Sequence, residues 1–83
     1  MTVKTADELT WVQGETLKKL RLRNNLTLRV ASEGANIALS FLSDIENGNK
    51  NTTPQTLGSI LDFYGLTVDD WFKEQHFTII GKE

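Results

Sequence analysis

Residues 37–49 read IALSFLSDIENGN, and the fold turns on what they form. The reading is a short helix from about Leu39 to Asn47. Gly48 stands just past its end, where a left-handed residue closes a helix. The stretch contains no Lys or Arg and holds two acids, Asp44 and Glu46. Its own chemistry therefore does not announce a partner, and its role has to be read from its flanks.

On the N-terminal side, Thr27 caps a second helix over 28–34 by accepting an N–H bond through its hydroxyl. The run EGAN at 33–36 ends that helix. Asn24-Asn25 ends the helix before it, because Asn tolerates the left-handed conformation of a helix end. This first helix carries Leu9, Val12, Leu17 and Leu20 at mostly helical spacing. Thr5-Ala6-Asp7-Glu8 fits a capping box at its start. Gly14 interrupts it, at a cost of ~1 kcal/mol relative to Ala. Two forms fit: one long helix to about Arg23, or a turn followed by a helix from about Glu15.

On the C-terminal side, GNKNTT at 48–53 is a polar loop. Thr53 caps a fourth helix with Pro54 in its first turn, where the missing N–H is harmless. Leu57, Ile60, Leu61 and Tyr64 form its apolar stripe, and Gly65 stops it. Thr67 caps a fifth helix over 68–73, with Asp69 and Asp70 at the positive end of its dipole. The tail HFTII at 76–80 has high β-propensity, as does TVKT at 2–5. The tail is predicted to be a strand or an extended arm, with a disordered tail as the alternative.

At 83 residues one domain is expected. The chain has no Cys, so helix packing or oligomerisation must supply stability in place of disulfides or a Cys-based zinc site. No run approaches the ~18 apolar residues of a membrane span, and the N-terminus lacks the layout of a signal peptide. A soluble, cytoplasmic protein without membrane association is expected. The net charge is −2, unevenly spread. Residues 14–52 hold six bases and four acids, whereas 53–83 hold two bases and five acids. This asymmetry suits a DNA-facing side and a partner-facing side, and an unevenly charged solvated surface fits equally well. His76 is the single His. With no Gly-rich phosphate loop and no ligand cluster, neither an enzyme nor a metal or cofactor site is expected.

The segments GETLKKLRLRNNLTL, NIALSFLSDIENGNK and PQTLGSILDFYGLTVDDWF together resemble the Cro/lambda-repressor-type (XRE-type) helix-turn-helix DNA-binding domain. The resemblance runs from position 14 to about 49 and resumes over 54–72. Its most specific part is LS-x-IE-x-G, from Leu42 to Gly48. Three positions depart from the family pattern. Leu28 replaces a polar residue after the helix-two cap, Ala31-Ser32 replaces a Leu-Ala pair, and Asn36 replaces the Gly of the turn.

The resemblance implies an all-α, compact five-helix repressor-like domain, with a short strand or arm allowed at the termini. Residues 1–13 would be an N-terminal extension, 14–73 the DNA-binding domain and 74–83 a tail serving as a dimerisation arm. It implies an ion pair between Arg21 and Glu46 that fixes helix three against helix one. Leu39, Ser40, Ser43 and Asp44 would read bases in the major groove. Ile37, Phe41, Leu42 and Ile45 would face the core. Asp44 would either accept from cytosine N4 or stand solvated and repel phosphate. Phosphates would be held by Thr27, Leu28, Arg29, Asn47, Asn49, Lys50 and Asn51, with Lys18, Lys19 and Arg23 adding positive surface.

Trp71, Phe72, Phe77, Ile79 and Ile80 are expected to form a two-fold homodimer interface, with closure of the monomer core as the alternative for Trp71 and Phe72. The expected function is double-stranded DNA binding as a small dimeric transcriptional regulator, a repressor of phage or mobile-element type without a small-molecule effector. The alternatives are an antitoxin that binds both DNA and a toxin protein, and a protein-interaction module that has lost DNA binding.

Overall fold

The computed structural model describes residues 6–82 of the chain. Five helices follow one another: α1 (Ala6–Arg23), α2 (Leu28–Ala35), α3 (Leu39–Glu46), α4 (Pro54–Tyr64) and α5 (Val68–Lys82). Among the described residues there is no strand.

The first four helices end in the same way. Asn25, Asn36, Gly48 and Gly65 each adopt positive φ, between 58° and 78°. After each of them the next N–H reaches back to a carbonyl of the last turn: Leu26 to Arg21, Ile37 to Ser32, Asn49 to Asp44 and Leu66 to Leu61. This is the Schellman arrangement, which satisfies carbonyls the helix itself leaves unpaired. Asn36 thus does in the turn what the family's Gly does, at φ 59°. The helix starts are less uniform. Thr27 and Thr53 accept from Val30 N and Thr56 N. Thr67 and Asp70 cap α5 reciprocally, each side chain bonding the other's backbone N–H. Ala38 precedes α3 and offers no side-chain cap.

α1 packs on α3 and α5, and α2 on α3 and α4. The buried core gathers Leu17 and Leu20 of α1, Ala31 and Ala35 of α2, and Leu42 and Ile45 of α3. Ile60, Leu61 and Tyr64 of α4 and Trp71 of α5 complete it. Leu28, Ile37 and Phe41 are half-buried against its edge. Two departures in helix two are absorbed here. Leu28 packs on the core, and the buried Ser32 donates its hydroxyl to Arg29 O at 2.9 Å.

Three expectations are resolved or corrected. First, α1 is one unbroken helix, and Gly14 lies inside it. A Cβ at Gly14 would sit 2.9 Å from the Glu46 carbonyl oxygen and closer still to that of Ile45. Glycine is therefore the entry fee for a close α1–α3 crossing. Second, the HFTII tail is neither strand nor arm, because α5 continues through it to Lys82. Tertiary contacts outweigh its β-propensity. Thr16 Oγ1 donates to Thr78 Oγ1 at 2.8 Å, and Lys19 reaches Glu74 and Thr78. Third, Trp71 is 3% exposed and belongs to the monomer core, not to an outer interface. The TVKT segment and Thr5 lie outside the described residues.

Candidate nucleic-acid interface

The mount of α3 begins at Arg21. Its Nε donates to Glu46 Oε2 at 2.8 Å and its Nη2 to Glu46 Oε1 at 3.0 Å, a bidentate pair. Its Nη1 donates to Leu26 O at 2.8 Å. One guanidinium therefore ties α1, the end of α3 and the chain entering α2. Both partners are buried. The hydrogen bond to Glu46 raises the Arg21 pKa against the opposing cost of burial, so the group stays charged. Beside this pair, burial pushes the Tyr64 hydroxyl up to about 12.

With that face fixed, α3 presents the other. Leu39 and Ser40 are exposed at its first turn, and Ser43 and Asp44 are half-exposed one turn on. Leu42 and Ile45 are fully buried behind them. Because Ala38 supplies no cap, the first-turn N–H groups of α3 have no side-chain acceptor from that position. They stand beside Leu39 and Ser40, where a base edge or phosphate oxygen could serve.

Asp44 has a partner of its own. Lys50 Nζ lies 3.5 Å from Asp44 Oδ2 and 5.9 Å from the centroid of the Phe41 ring. The acid that looked unfavourable for DNA thus neighbours a cation contributed by the following loop.

The residues expected to contact phosphate fall into two groups, one at the start of α2 and one after α3. In the first, Thr27 accepts from Val30 N at 3.1 Å and keeps its hydroxyl hydrogen to donate. Arg29 is exposed in that turn, while Leu28 is half-buried and offers only its backbone N–H. In the second, Asn47, Asn49, Lys50 and Asn51 are all exposed. That loop rests on the start of α1. Gly48 lies against Trp11, where a Cβ would stand in ordinary contact, 3.5 Å from Trp11 Cα. Thr10 Oγ1 donates to Asn51 Oδ1.

Two of the expected supporting cations are committed elsewhere. Arg23 makes a bidentate pair with Glu74, at 2.8 and 3.2 Å. Lys19 Nζ lies 3.5 Å from the same carboxylate. These contacts hold the Glu74 pKa below the usual carboxylate range, the Arg23 hydrogen bond foremost. Lys19 and Arg23 therefore staple α5 to α1, while Lys18 stays exposed.

The expected dimer residues divide as well. Phe72, Phe77 and Ile80 are exposed, Ile79 is half-buried, and Trp71 is interior. At ~100° per residue, Phe72 and Phe77 stand roughly 140° apart around α5, with Ile80 between them. Thr10, Trp11 and the packing role of Gly14 were not legible in the sequence. Thr10 and Asn51 are 41 positions apart, and no local periodicity reports such a contact. Among the described residues no group of His, Cys, Asp and Glu is arranged to hold a metal ion. No helix is long and apolar enough to cross a membrane.

Residues 17–71 match the helix-turn-helix family. Over 63 residues the chain is 36% identical to the HTH-type transcriptional regulator DdrOP3 of Deinococcus deserti, covering 76% of this chain and 49% of that protein. It is 37% identical over 49 residues to the transcriptional regulator ClgR of Mycobacterium tuberculosis, covering 59% of this chain and 44% of that one. The chain thus spans about half the length of these curated relatives. Among solved structures it resembles the clp gene regulator ClgR of C. glutamicum, with a TM-score of 0.78 at 27% identity. That match covers 84% of this chain and 91% of the other. A wild-type restriction-modification controller protein superposes with a TM-score of 0.83 over 94% of this chain and 99% of that one. At 20% identity, that likeness concerns the fold alone.

Proposed function

This chain belongs to the helix-turn-helix family of Cro/lambda-repressor type, and from that premise we propose that it is a sequence-specific, dimeric transcriptional regulator acting on double-stranded DNA. α3 enters the major groove. Leu39 makes apolar contact with thymine methyl groups, and Ser40 and Ser43 exchange hydrogen bonds with base edges. With no Arg on α3, direct readout is modest and DNA shape contributes the rest. Thr27, the Leu28 N–H and Arg29 hold phosphate at the start of α2, and Asn47, Asn49, Lys50 and Asn51 after α3.

A single observation carries this reading. α3 is fixed by a buried bidentate pair on one side while its uncapped first turn, with Leu39 and Ser40, stands exposed on the other. Few contacts per subunit call for two half-sites about one helical turn apart, ~34 Å. The exposed Phe72, Phe77 and Ile80 of α5, with half-buried Ile79, supply apolar surface for a second copy. Asp44 steadies Lys50 more than it reads cytosine.

Selection of bound duplexes from random DNA tests this. The expected result is an enriched palindrome whose half-sites are one turn apart. Failure to enrich any sequence, together with no binding at low salt, would overturn the reading. A mass in solution that stays monomeric at every concentration would overturn the dimer.

A further inference from the structure

We infer that Thr10, on the first turns of α1, is a positioning residue for the DNA backbone and acts through Asn51. The inference rests on the DNA-binding reading above. It joins Thr10, which precedes the segment matching the family, to Asn51 within that segment, residues 17–71.

The argument starts from donor and acceptor chemistry. An Asn side chain has one accepting oxygen and one donating NH2 group. The Thr10 hydroxyl donates to Asn51 Oδ1. Thr10 is buried, at 6% exposure, whereas Asn51 is exposed. The inner side of the Asn51 amide is thereby fixed as its acceptor. What remains is Nδ2, for which no partner exists among the described residues. A donor is what a phosphate oxygen requires, and an amide free to rotate would present its oxygen as readily.

The same part of α1 sets the loop's height. Trp11 packs against Gly48, which has φ 78° and whose added Cβ would be in van der Waals contact with Trp11 Cα at 3.5 Å. One turn on, Gly14 admits the Ile45 and Glu46 carbonyls. α1 therefore follows the chain from the end of α3 through the loop, at positions 45–46, 48 and 51. The loop so held carries Asn47, Asn49 and Lys50 as well as Asn51. The first turns of α1 thus act as a brace under the loop proposed to grip DNA.

The test uses the full chain with Thr10→Val, Thr10→Ser, Asn51→Ala and the Thr10→Val/Asn51→Ala double variant. In the free protein, the Asn51 side-chain NH2 pair in a 1H–15N spectrum should move in T10V and return in T10S. On a mixed-sequence duplex at low salt, T10V should weaken binding about fivefold, the size expected of one lost hydrogen bond. T10S should restore it, and T10V should add nothing in the Asn51→Ala background. Thermal unfolding of each variant separates loss of fold from loss of positioning. Asn51→Asp is the second route, at an exposed site. It keeps the acceptor for Thr10, removes the donor and should bind more weakly than wild type with its unfolding midpoint unchanged. An Asn51 amide indifferent to T10V, or an equal loss from T10V with and without Asn51, overturns the inference. Wild-type protein that leaves the duplex unbound while the Asn51 amide still answers to Thr10 overturns the DNA reading and leaves the brace standing.

Discussion

α3 and α5 both lean on α1, but by different means. α3 is held by a guanidinium–carboxylate pair with side-chain exposures of 9% and 4%, and by backbone brought against backbone at Gly14. α5 is anchored by Trp71 and then by Glu74 meeting Lys19 and Arg23, the latter 54% exposed. A buried pair is expensive to break because its survivor is left charged without water. An exposed pair exchanges with solvent and contributes little. The angle of α3 is therefore rigidly specified. The later turns of α5 hold on through replaceable contacts and present Phe72, Phe77 and Ile80 outward. One helix is fixed through its buried face, and the other leaves apolar side chains exposed.

Arg21→Ala attacks the stronger side of this contrast and should have the largest effect, about 3–5 kcal/mol. Urea unfolding measures it, and a loss below about 1 kcal/mol would put this pair in the surface class. Restoring an apolar match with Arg21→Met/Glu46→Leu should recover most of the stability. Gly14→Ala comes next, with a net loss of about 2 kcal/mol, because the new methyl meets carbonyl oxygens that cannot swing away. Gly58→Ala is the control on α4, where nothing lies within 4 Å. It should instead gain up to about 1 kcal/mol, and equal signs for the two would remove the close-crossing argument.

Tyr64→Phe sharpens the comparison through pH. Burial raises the folded-state pKa from 10.0 to about 12. The Tyr64 contribution is therefore intact below the unfolded value and is lost as pH climbs from 10.0 toward about 12. The Phe variant should flatten that alkaline decline. It should also be no less stable at neutral pH, since the buried Tyr64 hydroxyl has no partner among the described residues.

Glu74→Gln, on the α5 side, should be the mildest, below about 1 kcal/mol. Its folded pKa is lowered, so the contribution is present above the ordinary carboxylate range and is lost as pH falls through the lowered value. Hydrogen exchange should show α5 loosening in acid before α3, and the Gln variant should show a small part of that loosening already at neutral pH. Simultaneous loosening of both helices would erase the distinction between them.

The residues most legible in the sequence were those whose meaning is local. Thr27, Thr53 and Thr67 are helix starts, and Asn25, Asn36, Gly48 and Gly65 are helix ends. Each type acts through its own backbone within a turn or two. Leu42 and Ile45 were legible as core through the family resemblance, and helical spacing sets them apart from Leu39, Ser40 and Ser43. Gly14 was ambiguous because the same glycine can break a helix or admit a neighbour, and only the neighbour decides. Trp71 was open between an interface and the monomer core, because aromatic character does not reveal which side of a helix is already covered.

The sequence by itself determined five helical segments with most of their starts and ends, an amphipathic α3 and a family pattern linking Arg21 to Glu46. Those follow from side chains acting over three or four positions, and from a motif written along the chain. Tertiary structure alone decided the rest. It made α1 continuous and turned the β-prone tail into helix through Thr16, Lys19 and Arg23. It diverted two cations to Glu74, set Lys50 beside Asp44 and put Thr10 beneath Asn51. Each depends on residues distant along the chain meeting in space, where burial, charge pairing and hydrogen bonding outweigh local propensity.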